Sequence, residues 1–179
     1  MVEKFSTLAD AIALAEFAHR SQKDKAGMDY IDHPLRVMRT VQDQGAQPYI
    51  QMAAVLHDVT EDTRFTTDML QALGFSESVV NVVRLVDRHA SAKVFHKQNE
   101  GRDLAAGLND SKRRFYISLG PDAEDEFYYT QIRKHPGALM VKRADIADNT
   151  LPHRLSHFSQ ETQDRLTKKY KKALDILNG

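Results

Sequence analysis

Four ionisable side chains lie close together between Met52 and Thr63, where one imidazole and three carboxylates could bind a metal ion or exchange protons. The rest of this stretch predicts a buried helix. At about 100° per residue, the four would share one side of that helix, with the apolar residues pointing away from them. The polar side consists of His57, Asp58, Glu61 and Asp62, and the apolar side of Met52, Val55, Leu56 and Val59. A solvated acidic face is the commoner arrangement, but the small and apolar neighbours of His57 indicate a partly enclosed one.

Two residues that are distant in the sequence could complete a metal site with this stretch. His33 stands at a predicted helix start, and Asp145 lies on a late predicted helix. Together with His57 and Asp58 they supply two imidazoles and two carboxylates, a ligand set that suits manganese, iron, zinc or magnesium. Alone, either residue would more often be a helix cap or a hydrogen-bonded polar group. The sequence therefore predicts a divalent metal site if folding brings the three segments together.

Composition limits the kinds of protein that this chain can be. Its 179 residues, 41% of them hydrophobic, suffice for a single domain over residues 1–179 with its own core. The 25 basic and 25 acidic residues balance, so no overall field attracts a nucleic-acid polymer. There is no cysteine for a disulfide or a thiolate site, and no apolar run reaches the roughly 18 residues of a membrane span. We expect a cytoplasmic protein that binds a small molecule; the sequence does not give its oligomeric state.

Apolar residues at helical spacing predict an all-α bundle of about eight helices. Helix starts are marked by Ser6 or Thr7, His33-Pro34, Pro48, Thr66, Ser76 or Ser78, Asp122, Pro136 and Gln160, and helix ends by Gly45, Gly74 and Pro152. From about His89 to Pro121 the spacing is lost, while charged residues, asparagine and glycine accumulate. The sequence thus predicts a long irregular connection near residues 89–121. Connections beyond about 15 residues are usually functional lids or disordered, and both alternatives stay open here.

Four strings in the sequence together match a known family pattern. They are Ala18-His19, Asp29-Tyr-Ile-Asp-His-Pro-Leu35, Leu56-His-Asp-Val-Thr-Glu-Asp-Thr63 and Val141-Lys-Arg-Ala-Asp-Ile-Ala-Asp-Asn149. These strings resemble the HD-domain metal-dependent phosphohydrolases, and within them the alarmone hydrolases of the RelA/SpoT type and their small stand-alone relatives. The similarity covers about residues 8–88 and 127–155. The resemblance implies an HD-domain helical fold, one manganese ion and a role in the stringent response. It also implies removal of pyrophosphate from the 3′ position of guanosine tetra- or pentaphosphate.

The same resemblance implies a role for each residue that matches the family motif. The implied metal ligands are His33, His57, Asp58 and Asp145, the implied catalytic acid pair is Glu61 and Asp62, and the implied nucleotide contact is Asn149. Lys25, and Lys142 or Arg143, are further candidates for binding a substrate phosphate. The remaining lysine cluster, Lys168, Lys169, Lys171 and Lys172, predicts a solvated face on the last helix.

Two positions depart from the family pattern. Asp24, between Lys23 and Lys25, stands where the family commonly has an arginine, and Asp148 stands where it often has a histidine. A carboxylate cannot make the bidentate contacts of an arginine with a nucleotide. Either Asp24 faces the nucleotide and disfavours guanosine tetraphosphate, or it points into solvent and Lys25 takes the place of the arginine.

Residues and resemblance together favour a metal-dependent hydrolase of a nucleotide, with guanosine 3′,5′-bis(diphosphate) 3′-pyrophosphohydrolase as the leading activity. A 5′-nucleotidase or an adenosine-alarmone hydrolase of the same superfamily would use the same ligands, although a nucleotidase does not need the pair Glu61 and Asp62. A regulatory module that senses a nucleotide without cleaving it would tolerate loss of the metal.

Overall fold

The computed structural model describes residues 7–100 and 121–179, which form helices joined by short turns. The helices are α1 Leu8–His19, α2 Asp32–Asp43, α3 Pro48–Leu56, α4 Val59–Asp62, α5 Thr67–Leu73, α6 Glu77–Val86, α7 Arg88–Glu100, α8 Pro121–Arg133, α9 Pro136–Asn149, α10 Pro152–Leu155 and α11 Gln160–Asn178. The all-α prediction is confirmed. Extended pairing in these two ranges is limited to a bridge between Lys23 and Asp29, and none of these helices is long and apolar enough to cross a membrane.

Capping residues set several helix ends where the sequence predicts them. Thr7 begins α1 with a capping box, in which its hydroxyl accepts the Asp10 amide and the Asp10 carboxylate accepts the Thr7 amide. Thr66 and Ser76 accept amide hydrogens at the starts of α5 and α6. Gly74 ends α5 with φ at 106°, a left-handed conformation that glycine adopts most easily. The order of the helices therefore follows from local signals in the sequence.

Helix α3 forms the centre of the hydrophobic core. From Met52 to Leu56 every side chain is buried, and the helix packs against α1, α2, α6 and α9. A helix that is apolar on all sides is one that its neighbours surround. The buried helix therefore fixes the position of His57 and Asp58, which follow its last residue.

The stretch from Met52 to Thr63 is not one continuous helix, so this part of the prediction was wrong. Helix α3 ends at Leu56, His57 and Asp58 form a turn, and α4 follows. The Nδ1–H of His57 donates to the carbonyl of Ala54 at 2.7 Å, the acceptor that a continuing helix would offer to the Asp58 amide. The polar residues thus follow the buried helix instead of lining its opposite face.

The predicted irregular connection was also wrong for residues 89–100, which belong to α7. This helix packs against α6 and α8. The amide of Arg88 donates to Glu61 at 3.1 Å and that of Ala90 to Asp87 at 2.8 Å, so two carboxylates satisfy N–H groups at the helix start. The alternatives of a lid or disorder concern residues 101–120, which lie outside the described residues. Within residues 7–100 and 121–179, the helices differ from the eight predicted ones by the addition of α7 and of two single turns, α4 and α10.

Candidate active site

Four of the predicted site residues meet where α2, the turn after α3, and α9 come together. The Nε2 atom of His33 lies 3.2 Å from Asp145 Oδ1 and 3.5 Å from Asp58 Oδ2. The Nε2 atom of His57 lies 3.1 Å from Asp58 Oδ1 and 3.8 Å from Asp145 Oδ1. Ligand atoms of His33, His57 and Asp58 are all within 4.8 Å of one another. The fold therefore brings two imidazole nitrogens and two carboxylates to one point.

Both imidazoles present Nε2 to this point, because each Nδ1 is bonded elsewhere. His57 Nδ1 faces the Ala54 carbonyl, and His33 Nδ1 lies 2.7 Å from the Asp148 carboxylate. Since a carbonyl and a carboxylate only accept hydrogen bonds, both Nδ1 atoms carry the hydrogen. Arg154 Nη1 lies 2.9 Å from His33 Nδ1, but both are then donors, and the guanidinium pairs instead with the Asp148 carboxylate. The Nε2 atom of His57 is buried and has no hydrogen-bond partner among the described residues. Once the two Nε2 atoms have lost any proton, their lone pairs and the carboxylate oxygens opposite them form a donor set that fits a divalent cation.

The charges around the two histidines raise the pKa of each. Burial lowers the pKa of His57, but the Asp58 and Asp145 carboxylates outweigh it and raise the pKa to about 9. Burial also lowers the pKa of His33, while bonds to Asp145 and Asp148 bring it above its ordinary value. A site with this excess of negative charge holds protons when no metal cation is bound.

Metal binding is expected to release protons and to weaken as the pH falls. With a pKa of about 9, His57 is protonated at neutral pH in the metal-free protein, whereas a bound metal requires the neutral imidazole. At about pH 7.5 each Mn²⁺ should displace at least about one proton, and the apparent affinity should rise with pH until the pH passes the pKa of about 9. Calorimetry in buffers of different ionisation enthalpy counts the protons released. Binding to the wild-type protein without proton release would contradict this ligand set.

Asp145 is held by two neighbours on its own helix. Its Oδ2 pairs with Lys142 Nζ at 2.8 Å, and its Oδ1 accepts from Asn149 Nδ2 at 2.5 Å. Burial raises the pKa of Asp145, but Lys142 and the histidines hold it well below its usual range. Asp145 is thus a carboxylate at all ordinary pH values. The structure places Lys142 and Asn149 beside a candidate metal ligand, and their contacts with substrate stay a prediction.

Glu61 and Asp62 lie beside the cluster, and each is already engaged. One Glu61 oxygen accepts the Arg88 amide. Burial raises the pKa of Glu61, although the Arg88 amide and Lys142 oppose the shift. Asp62 Oδ2 lies 2.8 Å from the hydroxyl of Tyr30. The pair therefore stands at the edge of the candidate metal site, with Glu61 the more buried member.

Sequence reasoning missed Tyr30 as a site residue. Its hydroxyl lies 2.8 Å from Asp58 and 2.8 Å from Asp62, and its ring packs 5.0 Å from that of His19. Burial and the two carboxylates raise its pKa far above the ordinary value, so the phenol stays protonated and donates. The available signal was its place three residues before His33, in one of the strings that carry the family resemblance.

Two adjoining cavities open at this cluster and share Tyr30, Asn149 and Tyr170. The smaller, of about 170 Å³, is lined by the candidate ligands His33, Asp58 and Asp145, by Glu61, Asp62, Tyr129 and by the cations Arg88, Lys142 and Lys169. The larger, of about 520 Å³, is lined mainly by basic and aromatic side chains, among them Lys23, Lys25, Arg36, Arg154, Arg165 and Phe158. A polar, acidic pocket beside a wider cationic cleft suits a ligand that carries phosphates and binds next to the candidate metal site.

Lys25, a candidate phosphate ligand, and Lys169, a member of the predicted solvated face, border different cavities. Lys25 lines the wider cleft, with its Nζ 5.0 Å from the centre of the Phe158 ring. Lys169 lines the smaller pocket, so one member of the predicted solvated lysine face borders the site. Burial and the neighbouring cations Arg88 and Lys142 lower the pKa of Lys169, which indicates a place that favours an anion.

Asp24 lines the cleft, but its carboxylate is used by its own loop. Asp24 Oδ1 accepts the amides of Ala26 at 2.8 Å and of Met28 at 2.9 Å. These bonds close the turn that presents Lys25. The contacts therefore favour a structural role for Asp24 over contact with a nucleotide base.

The bundle gathers two histidines and two aspartates at one point, in the chain order H…HD…D, and this is an arrangement that could hold a metal ion. Family comparison agrees: a model of the HD domain matches residues 11–115. The chain belongs to the HD domain family. The matched range contains His33, His57 and Asp58, while Asp145 lies beyond it.

Comparison with individual proteins points to nucleotide enzymes. The chain is 28% identical over 166 residues to a GTP pyrophosphokinase of Streptomyces coelicolor, covering 93% of this chain and 16% of that protein. It is 34% identical over 83 residues to the guanosine-3′,5′-bis(diphosphate) 3′-pyrophosphohydrolase MESH1 of Danio rerio, covering 44% of this chain and 46% of that one. The chain thus spans less than half the length of these curated relatives.

One solved structure has a similar fold over nearly the whole chain. It is that of a metazoan ortholog of SpoT described as hydrolysing ppGpp and playing a role in starvation responses. The TM-score is 0.67 at 24% sequence identity, covering 96% of this chain and 85% of the other. This likeness establishes the HD-domain helical fold.

Proposed function

We propose that this chain is a metal-dependent hydrolase that removes pyrophosphate from the 3′ position of guanosine 3′,5′-bis(diphosphate) or a closely similar nucleotide. The observation that carries the proposal is the convergence of two imidazole Nε2 atoms and two carboxylates beside Glu61, at the end of a cationic cleft. The hydrolase names among its relatives support the substrate class. We further propose that residues 1–179 act as one domain, in the cytoplasm where such nucleotides occur.

The proposed metal site has His33, His57, Asp58 and Asp145 as its ligands. When bound, a divalent cation would acidify a water and neutralise the negative charge that develops on the phosphate. Manganese is the metal that we propose, because the family resemblance implies it; the two imidazoles and two carboxylates without a thiolate suit it as they suit iron, zinc or magnesium. Lys142 and Asn149 hold Asp145 in place, and Tyr30 does the same for Asp58.

Glu61 is proposed as the group that orients the attacking water and takes its proton. Its raised pKa brings it closer to the working pH, which favours transfer of a proton in either direction. Its place is fixed, because the amide of Arg88 binds one of its oxygens. Asp62 and Asp58 both lie within hydrogen-bond distance of the Tyr30 hydroxyl. We therefore propose that Asp62 helps to hold the ligand Asp58 in position, besides being the second member of the acid pair.

The wider cleft is proposed to hold the rest of the nucleotide. Lys25 and Arg165 supply positive charge for phosphates, and the ring of Phe158 offers a stacking surface. Asn149 borders both cavities, and we assign it contact with the sugar between the two phosphate groups. Arg88 and Lys169 border the inner pocket, where they would meet the leaving pyrophosphate.

A comparison of substrates tests this proposal. The Mn²⁺-loaded protein is incubated with guanosine 3′,5′-bis(diphosphate), its adenosine counterpart and nucleoside 5′-monophosphates, and the products are resolved by chromatography. We expect pyrophosphate and guanosine 5′-diphosphate in equal amounts, with His57→Ala as the inactive control. Faster release of orthophosphate from the monophosphates would instead indicate a 5′-nucleotidase. Tight binding of a nucleotide without any product would indicate a sensing module.

Asp24→Asn tests whether Asp24 sets the choice of base. Asparagine keeps the oxygen that accepts the two loop amides but removes the charge. Because the structure assigns Asp24 to its loop, the ratio of kcat/KM for the guanosine and adenosine substrates should stay within about twofold of wild type. A charged hydrogen bond to the base is worth about 1.5 to 3 kcal/mol, so a direct role would change the ratio about tenfold or more. That larger change would contradict the loop assignment.

A further inference from the structure

Asp148 is a buried carboxylate that joins the candidate metal site to the wider cleft. Its side chain is 4% exposed. Oδ2 lies 2.7 Å from His33 Nδ1, and Arg36 contacts both oxygens, through Nε at 2.6 Å and a terminal nitrogen at 3.1 Å. Arg154 also pairs with Oδ2. One carboxylate from α9 thus holds residues from α2 and α10.

The two guanidinium groups fix the position of this carboxylate. Arg36 binds it as a fork through Nε and a terminal nitrogen, a geometry that fixes direction, and Arg154 pairs with Oδ2. The carboxylate therefore offers His33 an acceptor in a defined position.

The two histidines differ in how their rings are fixed. His57 Nδ1 is bonded to the backbone carbonyl of Ala54, which no side-chain substitution removes. His33 Nδ1 depends on the Asp148 side chain. A hydrogen bond at one ring nitrogen decides the tautomer and the orientation of the other nitrogen. His33 is thus the histidine whose Nε2 lone pair can be misdirected by a single substitution.

We propose that Asp148 is a positioning residue that holds His33 with hydrogen on Nδ1 and the Nε2 lone pair directed at the metal, and that Arg36 and Arg154 lock it in that role. The inference rests on the metal site proposed above. Both arginines also line the wider cleft.

Asp148→Asn provides the test, with Arg36→Met as its matched control. Both substitutions break the same buried ion pair, but only the first removes the charged acceptor of His33. We expect the Kd for Mn²⁺, measured from the electron paramagnetic resonance signal of the free ion, to rise about 10- to 100-fold in Asp148→Asn. In Arg36→Met the rise should be much smaller. If Asp148→Asn does not fold alone, the double variant with Arg36→Met removes the carboxylate together with one of its cations.

Nuclear magnetic resonance supplies a readout that a purely structural ion pair would not change. In the Zn²⁺-loaded, nitrogen-15-labelled protein, long-range correlations show which ring nitrogen carries hydrogen. In Asp148→Asn the His33 Nδ1–H signal should broaden or exchange faster with water, while that of His57 stays as an internal reference. Unchanged Mn²⁺ affinity and an unchanged His33 signal in a folded variant would overturn the proposal, as would equal weakening by Arg36→Met. No nucleotide is present, so this result is independent of the proposed hydrolysis.

Discussion

Glu61→Gln is expected to retain the metal and to lose turnover by about 10²- to 10⁴-fold, the usual effect of removing a general base. Glutamine keeps an oxygen that can accept the Arg88 amide, which in the native protein donates to Glu61 at 3.1 Å, so the start of α7 should stay in place. It cannot take up a proton. Steady-state kinetics with guanosine 3′,5′-bis(diphosphate), together with elemental analysis of the same sample, measures both properties.

His57→Ala is the contrasting variant. It removes a buried Nε2 that lies 3.1 Å from Asp58 Oδ1 and makes no hydrogen bond among the described residues, and so it should lose both metal and activity. Asp62→Asn completes the set, because it tests the second acid without disturbing Glu61. If Glu61→Gln turned over at the wild-type rate, the role of base would pass to Asp62 or to neither residue.

Removing the metal should lower the stability of the whole bundle. The proposed ligands come from α2, the turn after α3, and α9, so the ion links segments that are far apart in the chain. At a free-metal concentration 100 times Kd, linkage contributes about 2.7 kcal/mol. For a chain of this size that corresponds to a fall in Tm of roughly 5 to 10 °C on removal.

Calorimetric melting of loaded and chelator-treated samples measures this difference. His57→Ala is the control, since its Tm should not respond to Mn²⁺. An unchanged Tm in wild-type protein from which the metal has demonstrably been removed would count against a site that joins three segments.

Most helix bounds could be predicted because their signals are local. Thr7, Thr66 and Ser76 are caps that satisfy amides within three residues, and Pro48 and Pro136 each open a helix at its first position. Such signals depend on neighbouring residues alone. They say nothing of contacts made across the bundle.

The errors lie where side-chain contacts, near or far in the chain, decide the backbone. Helix α7 has weak apolar periodicity, and its start is fixed by Glu61, 27 residues earlier in the chain, and by the pairing of Arg88 with Asp125 of α8. The break after Leu56 follows from the His57 side chain turning back to Ala54. A helical wheel over residues 52–63 assumes a regular helical backbone, so it could not show the break after Leu56.

The candidate site likewise contains residues that the sequence could predict and one that it could not. The residues that converge, His33, His57, Asp58 and Asp145, carry a recognisable order in the sequence. The acceptor of His33 was missed, since Asp148 lies 115 residues away and matches no motif. A buried aspartate becomes informative only when the fold shows its partners.

Titration of metal against product formation tests the central claim most directly. Metal-free protein receives increasing equivalents of Mn²⁺ at concentrations well above Kd, and pyrophosphate and guanosine 5′-diphosphate are measured from guanosine 3′,5′-bis(diphosphate). We predict that both products rise together and level off at one equivalent of metal per chain. Activity of the metal-free protein, a plateau at a different stoichiometry, or orthophosphate in place of pyrophosphate would contradict a single-metal 3′-pyrophosphohydrolase.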